Sequence, residues 1–185
     1  MKNNILFIPL LFLLIGCSNQ SKLSENFNCG STKIENAKIV TDFNKNFKLT
    51  ISSSWNTKLY FSKFESEIFV ADTLKELTES FILGTSFNTG SLNFDTDFYK
   101  KTDSILAENN LQILNTGNQL FQSKPAYWYL AKGSKNGYTY HQFSLTSKQS
   151  NNTYFNGYVD IYGNVNINER ICEAISILEK IEFFQ

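Results

Sequence analysis

The chain has 185 residues, with 17 Lys and Arg against 17 Asp and Glu and a single His. This even balance gives no basic footprint for nucleic acid. Hydrophobic residues at 42% and aromatic residues at 15% exclude a disordered chain, and the length suits one globular domain.

The chain opens with MKNNILFIPLLFLLIGCSNQ. Lys2 is a positive start, and residues 5–15 form an apolar run broken only by Pro9. The run is shorter than the roughly 20 apolar residues a spanning helix needs, so it is read as a secretory signal over residues 1–16. LIGC at 14–17 resembles the lipobox of bacterial lipoproteins. That resemblance implies acylation of Cys17 after cleavage. The alternatives are an ordinary signal with a chance cysteine or an uncleaved anchor. Residues 17–32 begin with the polar SNQSKLSEN and are expected to be a flexible, lipidated tether. One acyl chain binds membranes only marginally. The several chains that the resemblance implies give durable attachment. Ser18 is not the aspartate that retains such proteins at an inner membrane, which points to the outer membrane. The expected location is therefore the bacterial cell envelope.

Loss of Lys2 leaves 16 basic residues against 17 acidic ones, a formal charge of −1. Arg170 is the only arginine, so forked recognition of phosphate or carboxylate is not expected to be central. Cys29 and Cys172 remain after Cys17. In an oxidising compartment an even pair suggests a disulfide, the alternative being two buried thiols.

Residues 33–185 are expected to form the domain. Strand signals follow one another at 47–51 (FKLTI), 58–64, 67–72, 80–88 and 111–114, then through AYWYLAKG, YTYHQFSLT and 153–163. KGSKNG and KQSNN read as hairpin loops, making the second half an antiparallel meander. Two stretches change to a helical period. In the first, Phe94, Phe98, Thr102, Ile105 and Leu106 share a face, with Asp95 and Asp97 near the start. In the second, Ile167, Ile171, Ala174, Ile175 and Leu178 form a stripe, and Asn166 with Glu169 fits a capping box. TLKELT at 73–78 is either a short turn or a loop. Strands in runs with two amphipathic helices indicate an α+β domain whose helices cover the sheet.

The order of these elements resembles the PsbP-like superfamily, which includes PsbP, the Ran-binding Mog proteins and many bacterial lipoproteins. FKLTISSSW is similar to its opening strand and Trp, with Ser53 where proline is more usual. KPAYWYLAKG at 124–133 resembles its mid-domain strand. The resemblance implies an α/β/α sandwich around a central antiparallel sheet. It also implies a binding or assembly factor, not an enzyme, with an envelope protein as partner and no cofactor.

Little in the sequence points to catalysis. A Ser-His-acid relay would have to use His141. Alternation places His141 with Thr139, Phe143 and Leu145 on an apolar face. Zinc needs three or four His, Cys or carboxylate ligands, and no such set is expected. Asp95 and Asp97 could hold calcium but are read as helix N-terminal carboxylates. GTSFNTG lacks the lysine and spacing of a phosphate loop. What remains is a tyrosine-rich face. Tyr127, Tyr129, Tyr138 and Tyr140 are expected on one side of the 124–145 hairpin, joined by Tyr154, Tyr158 and Tyr162. Tyrosine joins apolar area to a polar tip. The face is either a platform for a small ligand or glycan, or it lies beneath a helix.

Overall fold

The structure, a computed structural model, describes residues 22–184. Cys17 and the signal lie outside the described residues, so the expected lipidation site has no structural counterpart here. The described chain begins with α1 (Lys22–Asn26) and a hairpin of β1 (Ala37–Thr41) and β2 (Phe47–Ser52). Next come β3 (Asn56–Phe61), β4 (Glu65–Ala71), β5 (Ile82–Thr89) and α2 (Thr96–Glu108). The second half runs through β6 (Gln112–Phe121), β7 (Lys124–Lys135), β8 (Tyr138–Lys148), β9 (Thr153–Tyr162), α3 (Ile167–Leu178) and β10 (Glu182–Phe183).

Seven strands form one antiparallel sheet in the order β3-β4-β5-β9-β8-β7-β6. The second half is the expected meander. KGSKNG closes β7 onto β8 through a two-residue turn, with Asn136 at φ 53° and Gly137 at φ 81°. Positive φ at both central residues makes it a type I′ turn, whose twist matches the flanking strands. It sets Lys135 opposite Tyr138 and thereby the register of the whole hairpin.

A second sheet, β1-β2-β10, was not foreseen. FKLTI is a strand as expected, but it pairs with β1 and the chain's end instead of entering the main sheet. With α1 and α3, β2 covers one face of the main sheet. Phe47, Leu49 and Ile51 meet Phe143, Leu145, Phe155, Val159 and Ile161 there, and the α3 stripe of Ile171, Ala174, Ile175 and Leu178 completes the core. The opposite face carries α2. The molecule is thus α2, sheet, then α3 with the small sheet.

Two local expectations need correction. The region 17–32 is not a free tether throughout: Leu23 and Phe27 are buried, and Phe27 packs on Trp128 and Phe143. The polar composition around α1 hides two apolar residues, Leu23 within it and Phe27 just after it, that reach the core. There is also no capping box at α3. Asn166 is left-handed, at φ 48° and ψ 42°, and makes no side-chain cap bond. The turn after β9 consumes the extended geometry that a capping side chain needs. Residues 73–78 form no helix.

Cys29, just after α1, is bonded to Cys172 in α3, with Cα atoms 5.2 Å apart and a sequence separation of 143.

Candidate functional site

The period of two in β7, β8 and β9 sorts their side chains onto two faces. His141, Phe143 and Leu145 point into the main core. His141 is 4% exposed, and its Nδ1 has no hydrogen-bond partner. Burial, then the positive charges of Lys132 and Arg170, hold its pKa below the usual imidazole range. Among the described residues no carboxylate or hydroxyl is hydrogen-bonded to it, so the relay a serine hydrolase needs is not assembled there. No group of three or more His, Cys, Asp or Glu among the described residues could hold a metal.

All seven tyrosines lie on the other face, but they divide into two environments. Toward one end, Tyr140 and Tyr162 sit opposite each other and are buried with Leu106, Leu111 and Ala131. This cluster seats the C-terminal end of α2. Tyr140 donates to Asp160, Gln142 donates to Tyr140 Oη at 3.1 Å, and Tyr129 donates to Gln142 Oε1 at 3.0 Å. Lys135 lies 3.7 Å from Asp160 and over the Tyr140 ring. Burial and the Asp160 carboxylate push the Tyr140 phenol well above its usual range. Tyr138 stands at the strand end, 44% exposed.

At the other end the face is open. α2 starts with Asp95 accepting from the Phe98 backbone N–H at 3.0 Å, a side-chain N-cap. Its Phe98 and Tyr99 rings pack edge-on against Tyr127. The helix therefore lies over the β6–β7 side and leaves β8 and β9 uncovered. Beside it runs a cleft of about 640 Å³. Tyr127, Tyr129, Tyr154 and Tyr158 line it, along with Ser144, Thr146 and Asn156. The wall is Phe98, Lys101, Thr102 and Ile105 of α2 and the preceding loop. The volume falls within the 300–1,000 Å³ typical of small-ligand sites.

The expected α2 stripe was wider than its contact with the sheet. Leu106 is its only fully buried member, and Phe98, Thr102 and Ile105 face the cleft. Neither sequence alternative, platform or burial beneath a helix, describes the result. Tyr127, Tyr140 and Tyr162 are buried, Tyr129, Tyr154 and Tyr158 are half-buried, and only Tyr138 is exposed.

Tyr158 owes its place to Gly84 on the neighbouring strand. The two are paired, and a Cβ on Gly84 would lie 2.4 Å from Tyr158 Cζ. The ring crosses where a side chain would stand, with Phe69 edge-on beyond it. Burial, then Asp160, Glu67 and Glu65, push the Tyr158 phenol up to about 12, so it is a neutral hydroxyl at physiological pH. Thr146, Tyr154, Asn156 and Tyr158 are all half-buried. Within the described residues their side chains make no hydrogen bond.

Asp95 and Asp97, weighed as calcium ligands, are exposed at the rim, and Asp95 is committed to the cap. Sequence reasoning missed Gly84, Thr146, Ser144 and the α2 wall. Alternation from the tyrosines would have placed Thr146 and Ser144 on the same face. The role of Gly84 required the pairing of β5 with β9, which no local signal gives.

No protein-family model matches the sequence, and no curated protein does. The fold has solved counterparts. Cyanobacterial PsbP (CyanoP) from Synechocystis sp. PCC 6803 superposes with TM-score 0.57 at 9% identity, over 84% of this chain and 97% of that one. The Saccharomyces cerevisiae Ran-binding protein Mog1p gives 0.50 at 9% identity, over 80% and 95%. A protein from Bacteroides thetaiotaomicron VPI-5482 also gives 0.50, at 11% identity over 80% of this chain but 48% of its own. At such identities the likeness is one of fold: the domain is an α+β sandwich of the PsbP and Mog type.

Proposed function

We propose that this chain is a lipid-anchored, non-catalytic binding protein of the bacterial cell envelope, and that it binds through the tyrosine cleft. The cleft carries this reading: a ligand-sized opening with half-buried polar side chains that make no hydrogen bond within the described residues. Half-buried polar groups are satisfied by water or by a ligand. The lipobox at 14–17 supports the anchor at Cys17, and Ser18 supports the outer membrane. The disulfide between Cys29 and Cys172 suits an exported protein.

Two experiments test the parts. Cys17→Ser should move the protein from the membrane to the soluble fraction; continued membrane retention refutes the anchor. An aqueous small-molecule extract of the native envelope should shift the Tyr154 and Tyr158 ring resonances of the wild type. It should do so far less in Gly84→Ala, where the Tyr158 ring is displaced. Unchanged wild-type rings refute the cleft as a binding site.

A protein partner in the envelope is a second reading. Tyr60, Phe61 and Phe64 are 51%, 58% and 60% exposed around the edge strand β3, with Phe61 stacked on exposed Phe43 at 3.7 Å between centroids. Exposed apolar clusters of this kind mark interaction sites, and Mog1p is a binding protein of this fold by its name. A specific protein co-purifying with the wild type should be lost with Phe61→Asp. Equal recovery by both refutes this surface.

A further inference from the structure

Resting on the cleft reading above, we propose that the ligand is an uncharged saccharide, held by its hydroxyls on Thr146, Asn156 and Tyr158 and by its ring faces against tyrosine. Thr146 pairs with Asn156 across β8 and β9, and Ser144 with Tyr158. These residues are adjacent, point the same way and are neutral. Hydroxyl and amide groups both donate and accept, so the floor suits a ligand rich in groups that do the same. Tyr154 and Tyr158 flank the floor on β9 and offer apolar ring surface with a polar tip.

Charge narrows the class. Among the described residues, Lys101 is the one basic residue lining the cleft, whereas Asp95 and Asp97 stand on its rim. Glu65 and Glu67 act on the Tyr158 end. Lys148, at the far end of β8, donates to Asn93 Oδ1 at 2.9 Å. An anion would therefore enter against like charge with little to pair it. Burying an unpaired charge is costly, whereas a neutral hydroxyl needs only a hydrogen bond. A purely apolar ligand would leave the floor's polar groups unbonded.

Strand order excludes the usual mode of extended peptides. β8 and β9 lie inside the sheet, each paired on both sides. Their backbone groups are spent, and a peptide cannot add as a further strand there. Contact is through side chains alone, which suits a ligand whose own recognition groups are hydroxyls.

The test is a titration of the full disulfide-bonded domain with defined probes, read at the Tyr154 and Tyr158 ring resonances. The neutral probes are maltotriose, cellotriose and triacetylchitotriose. The charged and peptide probes are tri-galacturonate, chitosan trimer and tetra-alanine. Saturable shifts with at least one neutral trisaccharide are expected, and Tyr158→Phe, which keeps the ring, should weaken that probe about tenfold by removing one hydrogen bond. Equal affinity in Tyr158→Phe overturns the assignment of that hydroxyl. Saturation by a charged trisaccharide or by tetra-alanine, with none by a neutral one, overturns the ligand class and leaves the cleft as a site. If all six probes are silent while the envelope extract still shifts the rings, the saccharide class alone falls. If the extract is silent as well, the cleft reading falls with it.

Discussion

Gly84 and His141 are the residues on which the two faces of the sheet turn. Gly84→Ala places a methyl group 2.4 Å from Tyr158 Cζ. Because the backbone of β5 is held on both sides, the ring must move, and overpacking of this kind costs about 1 to 3 kcal/mol. Urea unfolding should show the loss, and the Tyr158 ring resonances should move with it; an unchanged midpoint and unchanged rings would contradict the close approach. His141 makes a pH prediction. Its pKa is depressed in the folded state, chiefly by burial, so below about pH 6.5 the unfolded chain binds the proton first. Its contribution is therefore full above pH 6.5 and declines as pH falls toward the folded value. His141→Gln should flatten the melting temperature against pH across that window relative to wild type; parallel profiles would refute it. The sequence made His141 legible as a core residue because a single strand's alternation suffices. It could not reveal Gly84, because the glycine's meaning lies on a strand 74 positions away, at Tyr158.

At the scale of elements, α2 decides how much of the tyrosine face is open. It is tied down by its N-cap at one end and by Leu106 at the other. Asp95→Ala should cost about 1 kcal/mol, the usual worth of such a cap, while Leu106→Ala should cost about 2 to 5 kcal/mol as a buried deletion. Measured by urea midpoints, the reverse order would mean that the helix is held from its other end. The helical period located α2 and its stripe but not its contact. A stripe records which residues avoid water on average, and here part of it faces a cleft instead of the sheet. The small sheet escaped prediction for a related reason. β10 spans only Glu182 and Phe183, too short for alternation to register, and its pairing with β2 joins residues more than 130 positions apart. The salt bridge between Lys48 and Glu182, at 2.9 Å, lies on that seam.

The molecule as a whole is closed by the bond between Cys29 and Cys172, which spans 143 positions. A loop of that length stabilises by about 5 kcal/mol in the chain-entropy argument. Reduction, or replacement of both cysteines by alanine, should lower the urea midpoint accordingly. Free thiols in the unreduced protein, found by mass spectrometry, would show that the bond does not form. The bond also has a mechanical consequence. Any pull on the chain ahead of Lys22 passes through α1 and across the bond into α3, the helix packed between the small sheet and β9. The load path thus runs entirely along one side of the main sheet. The cleft opens on the other side, and its floor strands β8 and β9 rest on that path through Phe27 against Phe143 and Leu178 beneath Gly157.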